Sequence, residues 1–160
     1  MLEKNIARLV RKKPLIATGV IELVLGSHIG EGCHRTVYQH LTNDDWVVKL
    51  QTSERFSNII EFEIWCLVKD TKYAKWFAKC EWMSGNGKAL IQQKIEPITE
   101  HNMHLIPDKI PHFFTDIKPS NFGFLNGQLV CHDYDYSLIK FVNSGLTSRM
   151  KSSKELKERE

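Results

Sequence analysis

What the sequence lacks narrows the reading first. It has only four cysteines, Cys33, Cys66, Cys80 and Cys131, widely spaced and with no C-x-x-C pair. That pattern excludes a disulfide framework and suits reduced thiols in a cytoplasmic protein. No uninterrupted apolar stretch approaches the about 18 residues of a spanning helix. The N-terminal Met1-Leu2-Glu3-Lys4-Asn5 shows no apolar signal core. No membrane partner is therefore expected. Neither sign of charge dominates: 22 Lys+Arg face 19 Asp+Glu, a net +3 that is too small to argue for nucleic acid. There is no G-K-[ST], which excludes a P-loop. Zinc is the weakest metal candidate. His101 and His104 lie three positions apart and Cys131-His132 are adjacent, but no tetrahedral spacing supports them.

What remains is ordinary globular material. Hydrophobic residues make up 42% and charged residues 26% of 160 residues, which fits one domain with its own core. Residues 2–13 have the spacing of a short basic amphipathic helix, with Leu2, Ile6, Leu9 and Val10 on one face, stopped by Pro14. Ile21 to Ile29, Thr36 to His40 and Trp46 to Gln51 read as strands, separated by Gly30-Glu31-Gly32 and Asn43-Asp44-Asp45. Ser57 or Asn58 is the expected cap of a helix running to about Asp70. Lys79 to Ser84 and Lys88 to Gln93 flank Gly85-Asn86-Gly87, a hairpin signal. Pro97 to Pro111 shows no clear element. Phe122 to Phe124 and Leu129 to Cys131 form a second hairpin around Asn126-Gly127. Ser152 with Glu155 resembles a capping box opening a solvated terminal helix. The expectation is an α+β fold with a five-stranded antiparallel sheet and one helix inserted after the third strand. As a single domain it divides into 1–20 (helix and linker), 21–95 (sheet), 96–140 (polar loops) and 141–160 (charged tail).

Five segments could carry chemistry. Gly30 and Gly32 let a backbone approach phosphate oxygens, although an ordinary hairpin turn explains them equally. Lys49 lies mid-strand in Val47-Val48-Lys49-Leu50, where an unpaired ammonium group costs several kcal/mol; a snorkelling edge lysine is the alternative. Glu61 shares its helical stripe with Ile64, Trp65 and Val68, so a carboxylate on an apolar face answers a lysine in an apolar strand. Asp116, Lys118 and Asn121 crowd a short Pro-containing loop. Asp133 follows a short apolar strand, and with the Asn121 amide oxygen it is a hard donor suited to Mg²⁺. Turn chemistry alone is the other explanation of both loops.

In this order, a Gly-rich hairpin, strand Lys, helix Glu, D-x-K-x-x-N loop and D-Y-D resembles the protein-kinase signature set. The resemblance runs from about Leu25 to Ser137, and the chain is similar to compact kinase-like proteins of bacteria and their phages. It implies a kinase-like fold whose five-stranded antiparallel N-lobe sheet carries one helix, with a strongly reduced C-lobe. It implies an ATP- and Mg²⁺-dependent phosphotransferase, with a protein Ser/Thr hydroxyl or a small alcohol as acceptor. Gly30, Gly32, Lys49, Glu61, Gln93 and Ile95 would bind nucleotide, Asp116 and Lys118 would be catalytic, and Asn121 and Asp133 would hold the metal. The sequence departs from the pattern at Phe114-Thr115, which replace His-Arg, at Arg35, which replaces a third glycine, and at Asp135, which replaces the glycine after D-F. No A-P-E follows. These departures support a second reading, a pseudokinase acting as a protein-binding module; adenylyl transfer on the same scaffold is a third. Apolar surface near Phe113, Phe114 and Phe122 is expected to be covered by the N-terminal helix, the tail or a second copy, hence a possible homodimer.

Overall fold

The computed structural model describes residues 21–135 and 148–158. The expected helix over residues 2–13 lies outside them. The chain divides into two compact units, one of Met1–Cys66 with Lys79–Lys94 and one of Leu67–Ala78 with Ile95–Glu160.

The first unit is an antiparallel sheet with one helix. A 3-10 turn at Glu22–Val24 leads into β1 (Leu25–Glu31), followed by β2 (Arg35–His40), β3 (Trp46–Gln51), α1 (Ser57–Val68), β4 (Cys80–Met83) and β5 (Ala89–Gln93). The strand order is β1-β2-β3-β5-β4. The α+β class and the five antiparallel strands are thus as the sequence predicts. The largest boundary difference is in the first strand, predicted from Ile21, whereas Ile21 caps the 3-10 turn and the strand starts at Leu25.

Register gives the two sheet faces different chemistry. Tyr38 pairs with Val48 and Val48 with Ile91. That face builds a dry core of Ile21, Val24, Val48, Trp82 and Ala89. Val37 pairs with Lys49, Lys49 with Leu90 and Val47 with Gln92, so strand alternation puts Lys49 and Gln92 on the opposite face. Glu61, Ile64 and Val68 on α1 are fully buried, as the helical spacing requires, and Glu63 is exposed.

Asn58 does not cap α1. It lies inside the helix, and its Nδ2 donates to the carbonyls of Lys49 (3.2 Å), Gly87 (3.0 Å) and Lys88 (3.3 Å). A capping asparagine points its oxygen at the helix's own N–H groups; here Oδ1 is buried without a partner among the described residues. The side chain ties the helix start to β3 and to the β4–β5 turn. In that turn Gly87 has φ +70°, and an added Cβ would strike Ile59 of α1.

The second unit is assembled from short pieces. β6 (Glu96–Pro97), β8 (Phe122–Leu125) and β9 (Gln128–Cys131) form one small sheet; β7 (Lys109–Pro111) and β10 (Met150–Ser152) form another. The Asn126-Gly127 turn has φ 51° and 77°, the left-handed pair that a two-residue hairpin demands. The unit also holds a ring cluster. Phe77 stacks on Phe113 with centroids 5.7 Å apart, meets Phe114 at 5.2 Å and takes Tyr134 edge-on at 5.0 Å. Phe114 also meets Phe122 at 5.2 Å. Phe113, Phe114 and Phe122 are therefore buried by rings of their own unit. The covering expected there is thus found within the second unit itself.

The tail carries the expected short helix, exposed on all but one of its residues. β10 pairs with β7, and α2 (Lys154–Lys157) follows with Leu156 and Ser153 fully buried. Ser153 donates its hydroxyl to the Pro107 carbonyl and its N–H to the Asp108 carbonyl (3.1 Å). Ser153 also occupies the N-cap position, one residue past the predicted Ser152, and makes no side-chain cap bond. Among the described residues no helix is long and apolar enough to cross a membrane.

Candidate functional site

In the first unit a buried carboxylate gathers two cations. Glu61 reaches the Lys49 ammonium group through Oε2 at 3.0 Å. The Arg35 guanidinium lies across both carboxylate oxygens, with Nη2 donating to Oε1 at 2.9 Å and Nη1 paired with Oε2 at 2.9 Å. All three side chains are buried, Glu61 completely. A buried carboxylate is tolerated only when its lone pairs are met by close, hydrogen-bonded cations, and this geometry meets that condition. Local structure makes the cluster. Arg35 opens β2 opposite Gln51, and Lys49 pairs with Val37 two places along, so both side chains leave the sheet on one face. The Arg35 carbonyl also accepts the Gly32 N–H at 2.8 Å, closing the Gly30–Gly32 hairpin.

Neither Gly30 nor Gly32 is required to be glycine by a steric clash. Neither has a positive φ. A Cβ built on Gly30 meets nothing within 4 Å, and one on Gly32 meets only the Arg35 carbonyl at 3.8 Å. Gln93 ends β5 and donates its N–H to the Lys79 carbonyl at 2.8 Å. Ile95 belongs to the second unit, half-buried where an added Cβ on Gly123 would meet it.

In the second unit three of the polar residues singled out in the sequence lock together. Asn121 Nδ2 donates to Asp116 Oδ2 at 2.9 Å and to the Asp116 carbonyl at 3.1 Å. Two acceptors on one nitrogen fix the amide orientation, and no donor among the described residues reaches Asn121 Oδ1. Lys118 pairs with Asp116 Oδ1 at 3.2 Å and is more than half exposed. The Asn121 carbonyl accepts the N–H groups of His132 (2.9 Å) and Asp133 (3.4 Å), which holds the start of the Asp133 segment against the Asp116 loop. Between Asp133 and Asp135, Tyr134 turns into the ring cluster and donates its hydroxyl to the Ala78 carbonyl at 3.0 Å. Asp135 keeps one buried carboxylate oxygen without a hydrogen-bond partner among the described residues.

Two residues of this arrangement escape motif reading. Arg35 stands where a glycine is expected, and its strand parity with Val37 and Lys49 is the signal for its inward direction. Lys151 lies far along the chain and donates to the carbonyl of Phe114, two residues before Asp116; no sequence signal marks it. Among the described residues no three His, Cys, Asp or Glu side chains form a metal cage. Asn121 Oδ1 and the Asp133 carboxylate are hard oxygen donors by type.

No family model matches the chain, and no curated protein matches it.

Proposed function

We propose that this chain is an ATP- and Mg²⁺-dependent phosphotransferase of protein-kinase-like fold, with a reduced second lobe, acting on a protein Ser/Thr hydroxyl or a small alcohol. The observation that carries the reading is the buried Lys49–Glu61 ion pair at 3.0 Å. A lysine inside an apolar strand, oriented by a helix carboxylate, is the arrangement that phosphoryl transfer uses to grip α- and β-phosphates. The Asp116–Asn121–Asp133 linkage and the open space beside the Gly30 Cα agree with it.

The chemistry assigned to these residues is positioning and charge neutralisation. Gly30 and Gly32 let backbone N–H groups approach the phosphates. Lys49 binds the α- and β-phosphate oxygens. Backbone groups of Gln93 and Ile95 pair with the adenine edge, the Gln93 N–H being engaged by the Lys79 carbonyl. Asp116 orients the acceptor hydroxyl and takes its proton as the new O–P bond forms and the bond to ADP breaks. Lys118 offsets charge on the transferred phosphoryl group. Asn121 Oδ1 and Asp133 would hold Mg²⁺, which neutralises phosphate charge. Phe114, in the place of the signature histidine, has a packing role within the ring cluster.

The test is incubation with γ-labelled ATP and Mg²⁺, comparing wild type with Asp133→Ala and Gly30→Ala. Label transfer by wild type, lost in both variants, is expected. Equal transfer by all three overturns the assignment. A nucleotide bound at roughly 100-fold its Kd stabilises by about 2.7 kcal/mol, so a thermal shift with MgATP is expected, and no shift favours the binding-module reading instead.

A further inference from the structure

Past the last paired residues of β2 and β3, Arg35 and Gln51, side chains continue the connection between the two strands. Thr52 donates its N–H to the His34 carbonyl at 2.9 Å. Gln51 Nε2 donates to the same carbonyl at 3.1 Å and to Ser53 Oγ at 3.2 Å. The Arg55 N–H donates to Ser53 Oγ at 3.3 Å, and that oxygen lies 3.1 Å from His34 Nδ1. These bonds assign the hydrogens. A carbonyl only accepts, so the Gln51 amide nitrogen faces His34. A serine oxygen accepts twice and donates once. Gln51 and Arg55 fill the two acceptor positions of Ser53, so its proton goes to His34 Nδ1. The neutral His34 ring therefore carries its own proton on Nε2. Gln51 Oε1 is buried without a partner among the described residues, so this orientation costs one unmet acceptor.

We propose that Gln51, Ser53 and His34 are positioning residues of the phosphate site, a strap from the end of β3 that holds the Gly30–Gly32 hairpin ready for its ligand. The phosphate half of this rests on the proposed function; the assignment of the hydrogens does not. Strand pairing alone fixes the hairpin weakly. β1 meets β2 with two register shifts, one between Leu25 and His28 and one between His28 and Gly30. A glycine also has the most backbone freedom to lose on ordering. A glycine-bearing arm that must be ordered by its ligand binds it more weakly than one ordered beforehand. His34 is the point of attachment, because both its carbonyl and its ring are held. It stands two residues after Gly32 and one before Arg35, whose carbonyl accepts the Gly32 N–H at 2.8 Å.

The experiment measures, by calorimetry on the full chain, binding of MgATP and of adenosine to wild type, Ser53→Ala, His34→Ala and His34→Asn. Nitrogen NMR of wild type follows the His34 ring. Adenosine keeps the base and ribose and lacks the phosphates. Ser53→Ala and His34→Ala are expected to weaken MgATP about fivefold, the size of one net hydrogen bond, and to leave adenosine affinity within about twofold. In His34→Asn the side-chain oxygen takes the Nδ1 position and still accepts the Ser53 proton, so MgATP affinity should return to within about twofold of wild type. A general folding defect would weaken both ligands together. Should the alanine variants fail to fold, Gln51→Met, which removes the amide donors and keeps the length, is expected to show the same loss confined to MgATP. Equal loss of both ligands, wild-type MgATP binding in the strap variants, or no recovery in His34→Asn overturns the proposal. A neutral His34 with its proton on Nδ1 overturns it whether or not nucleotide binds. If wild type binds neither MgATP nor adenosine, the nucleotide reading falls and the phosphate role with it, and the His34 spectrum still decides the strap.

Discussion

The two units place polar residues by different means. In the first, regular structure carries the polar groups: an antiparallel register sends Arg35 and Lys49 to one face, and α1 delivers Glu61 to meet them. In the second, the strands are two to four residues long, and the Asp116 loop is held by rings, a tail strand and side chain-to-backbone bonds. The first arrangement puts charge inside and fixes it by mutual pairing. The second keeps its charges near the surface, with Asp116 28% and Lys118 57% exposed, and fixes the backbone beneath them. Stability lost by mutation should therefore come from uncompensated charge in one unit and from lost ring contact in the other.

The largest effects follow directly. Glu61→Gln leaves two buried cations facing a neutral amide and is expected to cost about 3–5 kcal/mol. Phe77→Ala removes the ring that meets Phe113, Phe114 and Tyr134 and is expected to cost about 3–5 kcal/mol through the cavity left. Urea unfolding of both variants checks the comparison. The two should differ in repair: a second substitution that removes charge relieves Glu61→Gln but does nothing for Phe77→Ala. Relief of both by the same charge removal would show that the two units are not held by different forces.

The tail sharpens the contrast. Leu156 is fully buried and β10 is laid along β7, so Leu156→Ala should cost about 2–4 kcal/mol. The loss should appear as faster amide exchange over residues 107–116, the stretch held by Lys151 and Ser153. Unchanged exchange there would mean that the tail packs without supporting the Asp116 loop.

This contrast also explains what could be read from the sequence. The first unit was legible because its signals are local. Asn43-Asp44-Asp45 and Gly85-Asn86-Gly87 punctuate the strands, and Glu61, Ile64 and Val68 share one helical stripe. Asn58 misleads because an asparagine at a helix start has two uses, and only the nearby Lys49, Gly87 and Lys88 carbonyls decide between them. Arg35 was visible but unassignable, since its partner stands 26 residues away. In the second unit the information is not local. Lys109–Pro111 is too short to announce itself as a strand, and its partner Met150–Ser152 arrives long afterwards. Phe113 and Phe114 are plainly apolar, but nothing local says that Phe77 and Tyr134 will cover them.

A smaller effect comes from adding one methyl group in each unit. A Cβ on Gly123 would collide with Ile95 and with the Glu96 backbone carbonyl, and that backbone is pinned by its pairing to β8. Gly123→Ala should cost about 1–3 kcal/mol. Gly30→Ala meets open space at an ordinary φ and should change stability by less than about 1 kcal/mol, in the stabilising direction. Equal destabilisation by the two would remove the argument that Gly30 is kept for something outside the chain.

The smallest expected effect lies on the surface. Asp108 accepts a bond from Lys157 Nζ at 2.9 Å, linking the β7 approach to α2. That hydrogen bond, and the lysine charge behind it, hold the Asp108 carboxyl below its ordinary pKa. A carboxylate whose folded pKa is depressed contributes stability above its unfolded pKa and loses it as pH falls through the folded value. Wild type should therefore exceed Lys157→Ala by a small margin at pH 7. The margin should shrink below about pH 4, where the carboxylates of both folded and unfolded chains take up protons. Because Asp108 is 94% exposed, salt should screen the same margin. Urea midpoints of the two proteins at pH 7 and pH 3, each at low and high salt, measure it. A margin that survives both acid and salt would mean that Lys157 holds α2 through the packing of its stem rather than through its charge.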